Sequence, residues 1–138
     1  MSQSNFFDTL SNLTTNEYFE LEAKFSNVSE KMFKSLLNIF KAQKEVTHSI
    51  SKNYGSIRVE TFDDGRVEQV LKTPVDSYRS NGYKIVLSKE EENMESVDGK
   101  SLVREKWRRT AFFQGYRIDF TKVKRDGEES FEVECEFE

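Results

Sequence analysis

The sequence predicts a mainly β protein of the α+β class, built from eight antiparallel strands with helices beside them. Eight segments alternate apolar and polar side chains with the period of two that is typical of strands. Residues that tolerate positive φ separate several of them, at Asp63-Asp64-Gly65, Gln114-Gly115 and Arg125-Asp126-Gly127. Such turns join antiparallel neighbours. With 138 residues, the chain is expected to form one domain.

Two helices are expected. The first is a short amphipathic helix within residues 1–15, predicted by the helical spacing of Phe6, Phe7, Leu10 and Leu13. The second lies near residues 28–43, where one apolar stripe is formed by Met32, Phe33, Leu36, Leu37 and Phe40. Asn27 precedes Glu30 by three residues and is the expected capping residue of this helix.

The first strand is expected near residues 17–25. The other seven are expected near residues 45–50, 55–62, 66–73, 82–90, 102–112, 115–124 and 130–138. Pro74 is expected to end the fourth strand early, because proline cannot donate to a strand ladder. The polar stretch 90–100 is expected to be an exposed loop.

Composition restricts the chemistry to carboxylates, lysines and arginines. His48 is the only histidine and Cys135 the only cysteine, so histidine-based zinc sites, Ser-His or Cys-His pairs and an internal disulfide lack their residues. The net charge of −4 argues against a protein that simply coats nucleic acid. The lack of a leader and of a long apolar run predicts an intracellular protein with no membrane span.

Two strands near opposite ends of the chain carry rows of carboxylates. Glu20 and Glu22 share one face of the first strand, and Glu132, Glu134 and Glu136 share one face of the last. Like charges at this spacing raise one another's pKa, and solvent, basic partners or a bound cation relieve the repulsion. Mg²⁺ and Mn²⁺ prefer carboxylate oxygens, so the two rows form a candidate metal floor.

Other strands also have an ionic face opposite an apolar one. The ionic residues that share a phase are Lys84 and Glu90, then Lys106 and Arg108, then Arg117, Asp119 and Thr121. Two architectures fit this pattern. In an open sheet the ionic faces point to solvent, and in a closed eight-stranded barrel they line the lumen while helices cover the apolar outside.

Six motifs follow one another in a characteristic order. They are Glu20-Leu21-Glu22-Ala23-Lys24-Phe25, Ile57-Arg58-Val59 with Gly65-Arg66-Val67-Glu68-Gln69, Lys84-Ile85-Val86-Leu87-Ser88-Lys89-Glu90, Lys106-Trp107-Arg108, Arg117-Ile118-Asp119-Phe120-Thr121-Lys122-Val123, and Glu132-Val133-Glu134-Cys135-Glu136. In this order they resemble the metal-dependent RNA 5′-triphosphatases of fungal and large-DNA-virus mRNA-capping systems, members of the triphosphate tunnel metalloenzyme superfamily. The resemblance implies a closed antiparallel barrel, the triphosphate tunnel, over residues 17–138 with helices packed outside.

The resemblance also implies roles for individual residues. It assigns Glu20, Glu22 and Glu136 to one Mg²⁺ or Mn²⁺ ion. The residues expected to orient water are Glu90, Glu132 and Glu134, and those expected to bind phosphate are Arg58, Lys106, Arg108, Lys84 and Arg117. For Lys84 and Arg117, structural pairing with lumen glutamates is an equal alternative. Asp119 is expected to support a basic residue, Thr121 to form a hydrogen bond in the lumen, and Trp107 to face outward against a helix.

The activity implied is hydrolysis of the γ-phosphate of 5′-triphosphate RNA ends, the first step of mRNA 5′ capping, with NTP hydrolysis as a side activity. The implied partner is an RNA guanylyltransferase, separate or fused, and the implied location is the nucleus or, for a virus, the cytoplasmic factory or virion. One alternative is a tripolyphosphatase, thiamine triphosphatase or NTPase of the same superfamily. Another is a β-barrel that binds a cation or ligand without catalysis.

Overall fold

The computed structural model describes residues 19–92 and 96–137, without the side chains of Phe19 and Phe137. The helix expected within residues 1–15 lies outside the described residues. Within them the chain forms one helix and eight strands. These are β1 Phe19–Phe25, α1 Glu30–Ile39, β2 Thr47–Tyr54, β3 Ile57–Phe62, β4 Val67–Ser80, β5 Tyr83–Glu92, β6 Leu102–Phe113, β7 Tyr116–Arg125 and β8 Glu128–Phe137.

The eight strands close into one antiparallel barrel in the order β1-β5-β4-β3-β2-β6-β7-β8. Strands β1 and β8 complete the circle, with Glu22 opposite Glu136 and Lys24 opposite Glu134. The prediction of an eight-stranded antiparallel barrel is therefore confirmed, and the open sheet is excluded. Closure leaves no unpaired edge, so the strands present only an inner and an outer face.

The predicted turns join consecutive strands. Gln114 and Gly115 have φ of 48° and 82° between β6 and β7, the positive values that a tight two-residue hairpin requires. Asp126 and Gly127 have positive φ between β7 and β8 in the same way. These turns let β6, β7 and β8 follow one another as neighbours around the barrel.

Strand β4 is longer than the sequence pattern indicated. It continues through Pro74 to Ser80, so the expectation that the proline ends the strand is wrong. The register with β5 shifts between Pro74 and Asp76, and this irregularity accommodates a residue that has no N–H to donate. Strand β5 contains Glu90, as the predicted strand 82–90 did, but it extends to Glu92, so the expectation that a loop begins at residue 90 is wrong.

Helix α1 is shorter than the stretch 28–43 and begins at a different cap. The Ser29 side chain accepts a hydrogen bond from the Met32 backbone N–H at 3.1 Å, whereas Asn27 has a φ of 58°. The expectation that Asn27 caps the helix is wrong, because Ser29 is the residue that can reach the free N–H groups of the first turn. No helix in the described ranges is long and apolar enough to cross a membrane.

The apolar core lies outside the barrel, between α1 with its following segment and the outer faces of β6, β7 and β8. Its buried members are Phe33, Ala42, Ala111, Ile118, Phe120 and Val133. Cys135 and Phe131 pack at its margin, in agreement with the outward phase expected for Cys135. Met32, assigned to the same stripe from its spacing, instead points to solvent and is 54% exposed.

Trp107 occupies the outer phase of β6, next to inward-facing Lys106, and is not among the described residues that pack against the core. The Trp107 ring lies 5.3 Å from the His48 ring, and the Lys122 Nζ lies 4.7 Å from its centre. Trp107 is thus no member of the core described above, and its expected contact with a helix stays a prediction, because the helix expected within residues 1–15 lies outside the described residues. A cation above the indole face and an imidazole beside it shield the ring.

We expect the barrel to depend on the contact between α1 and β8. Phe33, which is 8% exposed, places its ring 4.9 Å from that of Phe131 and 6.1 Å from that of Phe120. Phe33→Ala should lower the free energy of unfolding by about 3–5 kcal/mol, through lost burial and the cavity that remains. Chemical denaturation measures this change. The neighbouring Met32→Ala is the matched control and should change stability by about 0.5 kcal/mol or less; equal losses would contradict the packing.

Candidate active site within the barrel

The barrel encloses a central cavity of about 280 Å³ whose lining is almost entirely ionic. Its seven carboxylates belong to Glu20, Glu22, Glu90, Asp119, Glu132, Glu134 and Glu136. Its seven basic side chains belong to Lys24, Arg58, Lys72, Arg104, Lys106, Arg108 and Arg117. Formal charges of both signs therefore cancel across the lining. This balance is the condition under which so many ions can be removed from bulk water.

The carboxylates concentrate on the side formed by β1, β5 and β8. Burial and the neighbouring carboxylates of Glu90 and Glu136 raise the pKa of Glu20 to about 7. Burial, together with Glu22, also raises the pKa of Glu134. Burial opposes ionisation of Glu22 as well, but a hydrogen bond with Glu134 and the nearby Lys24 hold the pKa of Glu22 below its usual value. Of this pair, Glu134 is the one whose environment favours the protonated form, and Glu22 is the one whose environment favours the carboxylate.

Basic side chains neutralise part of this acidic side. Glu22 Oε1 lies 3.3 Å from the Lys24 Nζ and 3.6 Å from the Lys72 Nζ. Arg117 Nη2 donates to Glu136 Oε2 at 2.5 Å. Although burial opposes the charged form of Lys24, the carboxylates of Glu134 and Glu22 raise its pKa. The two carboxylates that oppose each other across the β1–β8 ladder are thus both held by cations.

The opposite side of the lumen, formed by β3 and β6, is basic. Lys106 is only 5% exposed, and burial with the charges of Arg104, Arg108 and Arg58 lowers its pKa to about 8. Glu60 counteracts this effect, because its Oε1 lies 3.5 Å from the Lys106 Nζ. The Glu60 carboxylate is itself buried. Burial opposes its ionisation, but the nearby Lys106 holds the pKa of Glu60 below its usual value. A buried ammonium and three guanidiniums form a site suited to a phosphate group.

Ion pairs cross the cavity between the two sides. Arg58 Nη2 on β3 lies 3.7 Å from Glu90 Oε1 on β5, and Arg104 Nη1 on β6 lies 3.7 Å from Glu132 Oε1 on β8. These distances bring guanidinium groups and carboxylates within reach of one small ligand. A tetrahedral phosphate bound at the basic side would therefore sit directly against the acidic side.

The carboxylates predicted as metal ligands provide the oxygen donors that a hard divalent cation prefers. Glu20, Glu22 and Glu136 come from neighbouring strands of the acidic side, and charge repulsion already contributes to the raised pKa of Glu20. A divalent cation would remove that repulsion. No three acidic, histidine or cysteine side chains within residues 19–92 and 96–137 hold an ion-binding arrangement as they stand. Glu22 and Glu136 contact Lys24, Lys72 and Arg117 instead.

The structure brings most of the predicted site residues to this one cavity. Those that line it are Glu20, Glu22, Arg58, Glu90, Lys106, Arg108, Arg117, Asp119, Glu132, Glu134 and Glu136. Asp119 contacts Arg117 at 3.3 Å and accepts a hydrogen bond from the Thr110 hydroxyl. Their chemical roles stay predictions, because position alone does not assign them.

Lys84 and Thr121 lie away from the central lining. Lys84 shares the inner phase of β5 and is opposite Lys24 at one end of the barrel, where it lines a separate cavity. Thr121 is buried between Arg108 and Glu132 in the strand register. Its hydroxyl has no hydrogen-bond partner among the described residues. The hydrogen bond expected of Thr121 is therefore not formed in this structure.

Four inner residues were not among the predicted site residues. Lys24, Lys72 and Arg104 line the central cavity, and Glu60 lies behind Lys106. Strand phase could have identified three of them, because each lies two residues from a predicted site residue and so shares its face of the strand. Lys24 shares a face with Glu22, Arg104 with Lys106, and Glu60 with Arg58. The residues before Lys72 do not form an ionic row. Its inward position could be predicted only with the knowledge that β4 neighbours β5.

Comparison with known proteins agrees with this architecture. No family model and no curated protein sequence matches the chain. Among solved structures, the Pct1 RNA triphosphatase of S. pombe matches with a TM-score of 0.74 and 23% identity, covering 95% of this chain and 75% of that chain. The same enzyme in complex with the Spt5 CTD matches with a TM-score of 0.75 and 22% identity, covering 95% and 76% respectively. The chain therefore has the triphosphate tunnel fold seen in an RNA triphosphatase.

Proposed function

We propose that the protein removes the γ-phosphate from 5′-triphosphate RNA ends with the aid of Mg²⁺ or Mn²⁺, the first step of mRNA 5′ capping. The observation that carries this proposal is the closed lumen in which a carboxylate-rich side faces four buried or half-buried cations across a few ångströms. A triphosphate end is a thin, strongly anionic ligand that fits such a space. The likeness of fold to the S. pombe RNA triphosphatase supports the same activity.

Glu20, Glu22 and Glu136 would hold the cation on the acidic side. When bound there, Mg²⁺ or Mn²⁺ supplies positive charge that polarises a phosphate oxygen and stabilises the transition state. Lys24, Lys72 and Arg117 neutralise these carboxylates in the absence of the ion. With a cation held there, these three side chains would be available to the substrate's phosphates.

Arg58, Lys106 and Arg108 would bind the γ-phosphate on the basic side. Phosphoryl transfer requires accurate positioning and stabilisation of the charge on the equatorial oxygens, which guanidinium forks supply. Glu60 keeps Lys106 protonated by its contact at 3.5 Å. Arg117, fixed between Asp119 and Glu136, would assist from the β7 side.

The attacking water would be oriented by carboxylates that are not needed for the cation. Glu90 lies between Glu20 and Arg58, where a water in line with the leaving diphosphate end would be held. Glu132, which contacts Arg104, would serve the same task from β8. Glu134 contacts Glu22, so it would act by fixing that metal ligand with its proton.

The diphosphate RNA end would then be consumed by an RNA guanylyltransferase, separate or fused, in the nucleus or in a viral factory or virion. NTP hydrolysis is the expected side activity. The rival functions are hydrolysis of tripolyphosphate, thiamine triphosphate or an NTP by the same domain, residues 1–138, and cation or ligand binding without catalysis.

Release of the γ-phosphate from triphosphate-ended RNA, measured with Mg²⁺ or Mn²⁺ and with a chelator, tests the proposal. We expect release only with the divalent cation and an RNA product that keeps a diphosphate end. Efficient turnover of tripolyphosphate or thiamine triphosphate without turnover of RNA would favour the first rival. Absence of hydrolysis from every triphosphate would favour the binding barrel.

We expect Glu22→Ala and Glu136→Ala each to lower phosphatase activity by about 100-fold or more, since a lost metal ligand removes several kcal/mol of transition-state stabilisation. Steady-state phosphate release measures the loss, and circular dichroism verifies the fold. Glu129→Ala is the control, because Glu129 is exposed and pairs with Lys122 on the outer face. Near-normal activity of Glu22→Ala would disprove the assignment.

We expect Arg58→Lys and Arg108→Lys to remain impaired by roughly tenfold or more, because an ammonium cannot reproduce the two parallel hydrogen bonds of a guanidinium. The measured quantity is kcat/KM for triphosphate-ended RNA. Arg125→Lys, at an exposed turn beside Asp126, is the matched control. Full activity in both lumen variants would show that these arginines contribute only general positive charge and no specific hydrogen bonds to phosphate.

The pH dependence of kcat/KM should fall on the alkaline side near the pKa of Lys106, which is about 8. Lys106 attracts phosphate only when it is protonated. Activity is therefore lost as the pH rises through the pKa of Lys106. Lys106→Arg keeps its charge and should retain activity to higher pH. An alkaline limb that does not move in Lys106→Arg would exclude Lys106 as its source.

A further inference from the structure

The two ends of the lumen carry opposite charge. At one end a cavity that shares Glu20 and Glu90 with the central cavity is lined by Glu68, Glu91 and Glu92; we call it the acidic mouth. At the other end, a cavity that shares Lys24 with the central cavity is lined by Lys24, Arg79 and Lys84; we call it the basic mouth. No basic residue is among the described residues of the first lining, and no acidic residue among those of the second.

The strands themselves set this polarity. Strand β1 begins near Glu20 and ends near Lys24, and its neighbour β5 begins near Lys84 and ends at Glu92. Because the two strands are antiparallel, their basic ends lie together and their acidic ends lie together. A polyanion approaching the barrel is repelled at one end and attracted at the other.

Two cations of the basic mouth are available to a ligand. Arg79 is exposed and lies opposite Lys84 across the β4–β5 ladder. Within the described parts of the chain, neither forms an ion pair with a carboxylate at 4.0 Å or less, whereas Lys24 is paired with Glu22 at 3.3 Å. No carboxylate of the described residues therefore neutralises their charge at the rim, and such cations can bind backbone phosphates.

An aromatic pair lies at the same rim. The rings of Phe25 at the end of β1 and Tyr83 at the start of β5 are 5.9 Å apart with an interplanar angle of 39°. Phe25 is 38% exposed, although removing an apolar ring from water is favourable in free energy. Exposed aromatic rings beside basic side chains form the platform on which proteins stack the bases of single-stranded nucleic acid.

We propose that the basic mouth is the entrance for the RNA chain, where Arg79 and Lys84 contact the phosphates of the first nucleotides and the Phe25–Tyr83 pair stacks on an unpaired base. This inference rests on the proposed function and gives it a direction: the triphosphate end points inward to Lys106, and the chain leaves past β4 and β5. The acidic mouth excludes RNA. Recognition by stacking and charge is independent of base sequence, so any single-stranded 5′ end fits.

The test uses Arg79→Glu and Tyr83→Ala, two residues that do not line the central cavity. Three quantities are measured for each variant: kcat and KM on triphosphate-ended RNA, kcat and KM on inorganic tripolyphosphate, and the Kd of a single-stranded RNA with a 5′-hydroxyl end by fluorescence anisotropy. Lys31→Glu on α1, an exposed position with the same change of charge, is the matched control.

We expect each variant to raise the KM for RNA and the Kd of the oligonucleotide by about tenfold, with turnover of tripolyphosphate unchanged. Arg79→Glu should also reduce the dependence of log Kd on log salt. Unchanged KM and Kd in both variants would overturn the proposal, as would an equal loss on tripolyphosphate. If the wild-type protein releases no phosphate from RNA, the proposed function fails, and the oligonucleotide Kd still decides the basic mouth.

Discussion

The pairing of β1 with β8 is the interaction on which the rest of the structure depends. It closes the barrel and places Glu22 opposite Glu136 and Lys24 opposite Glu134, so that carboxylates from both ends of the sequence share one enclosed space. Like charges confined in this way must be neutralised by protons, basic side chains or a cation. Lys24, Lys72 and Arg117 provide this neutralisation within the chain, and these are the contacts that a metal ion would replace.

Enclosure of the charges explains why the apolar core lies outside the barrel. The lining of the central cavity consists almost entirely of charged residues, so the outer face of β6 to β8 packs against α1 through Phe33, Phe120 and Val133. A fully paired barrel also holds its strands through main-chain hydrogen bonds on both sides. The lumen can therefore be ionic and about 280 Å³ in volume without the fold depending on apolar packing inside it.

The alternation of Glu132, Glu134 and Glu136 was sufficient to predict that one face of the last strand is acidic, and β8 shows that face turned inward. Alternation could not distinguish a lumen from solvent, because both accept charge, and the order of motifs was needed to predict closure. Local signals failed where tertiary context prevails. Pro74 lies within β4 because a register shift accommodates it. Trp107 lies against His48 and Lys122, two neighbours that no spacing in the sequence indicates.

The central claim is that the acidic side of the lumen binds a divalent cation next to a phosphate bound by Arg58, Lys106 and Arg108. The most direct measurement is anomalous diffraction from crystals grown with Mn²⁺ and a non-hydrolysable triphosphate. We expect one manganese peak at Glu20, Glu22 and Glu136, with the terminal phosphate between that peak and Lys106. A peak outside the lumen, or a triphosphate bound with no manganese beside it, would contradict the claim.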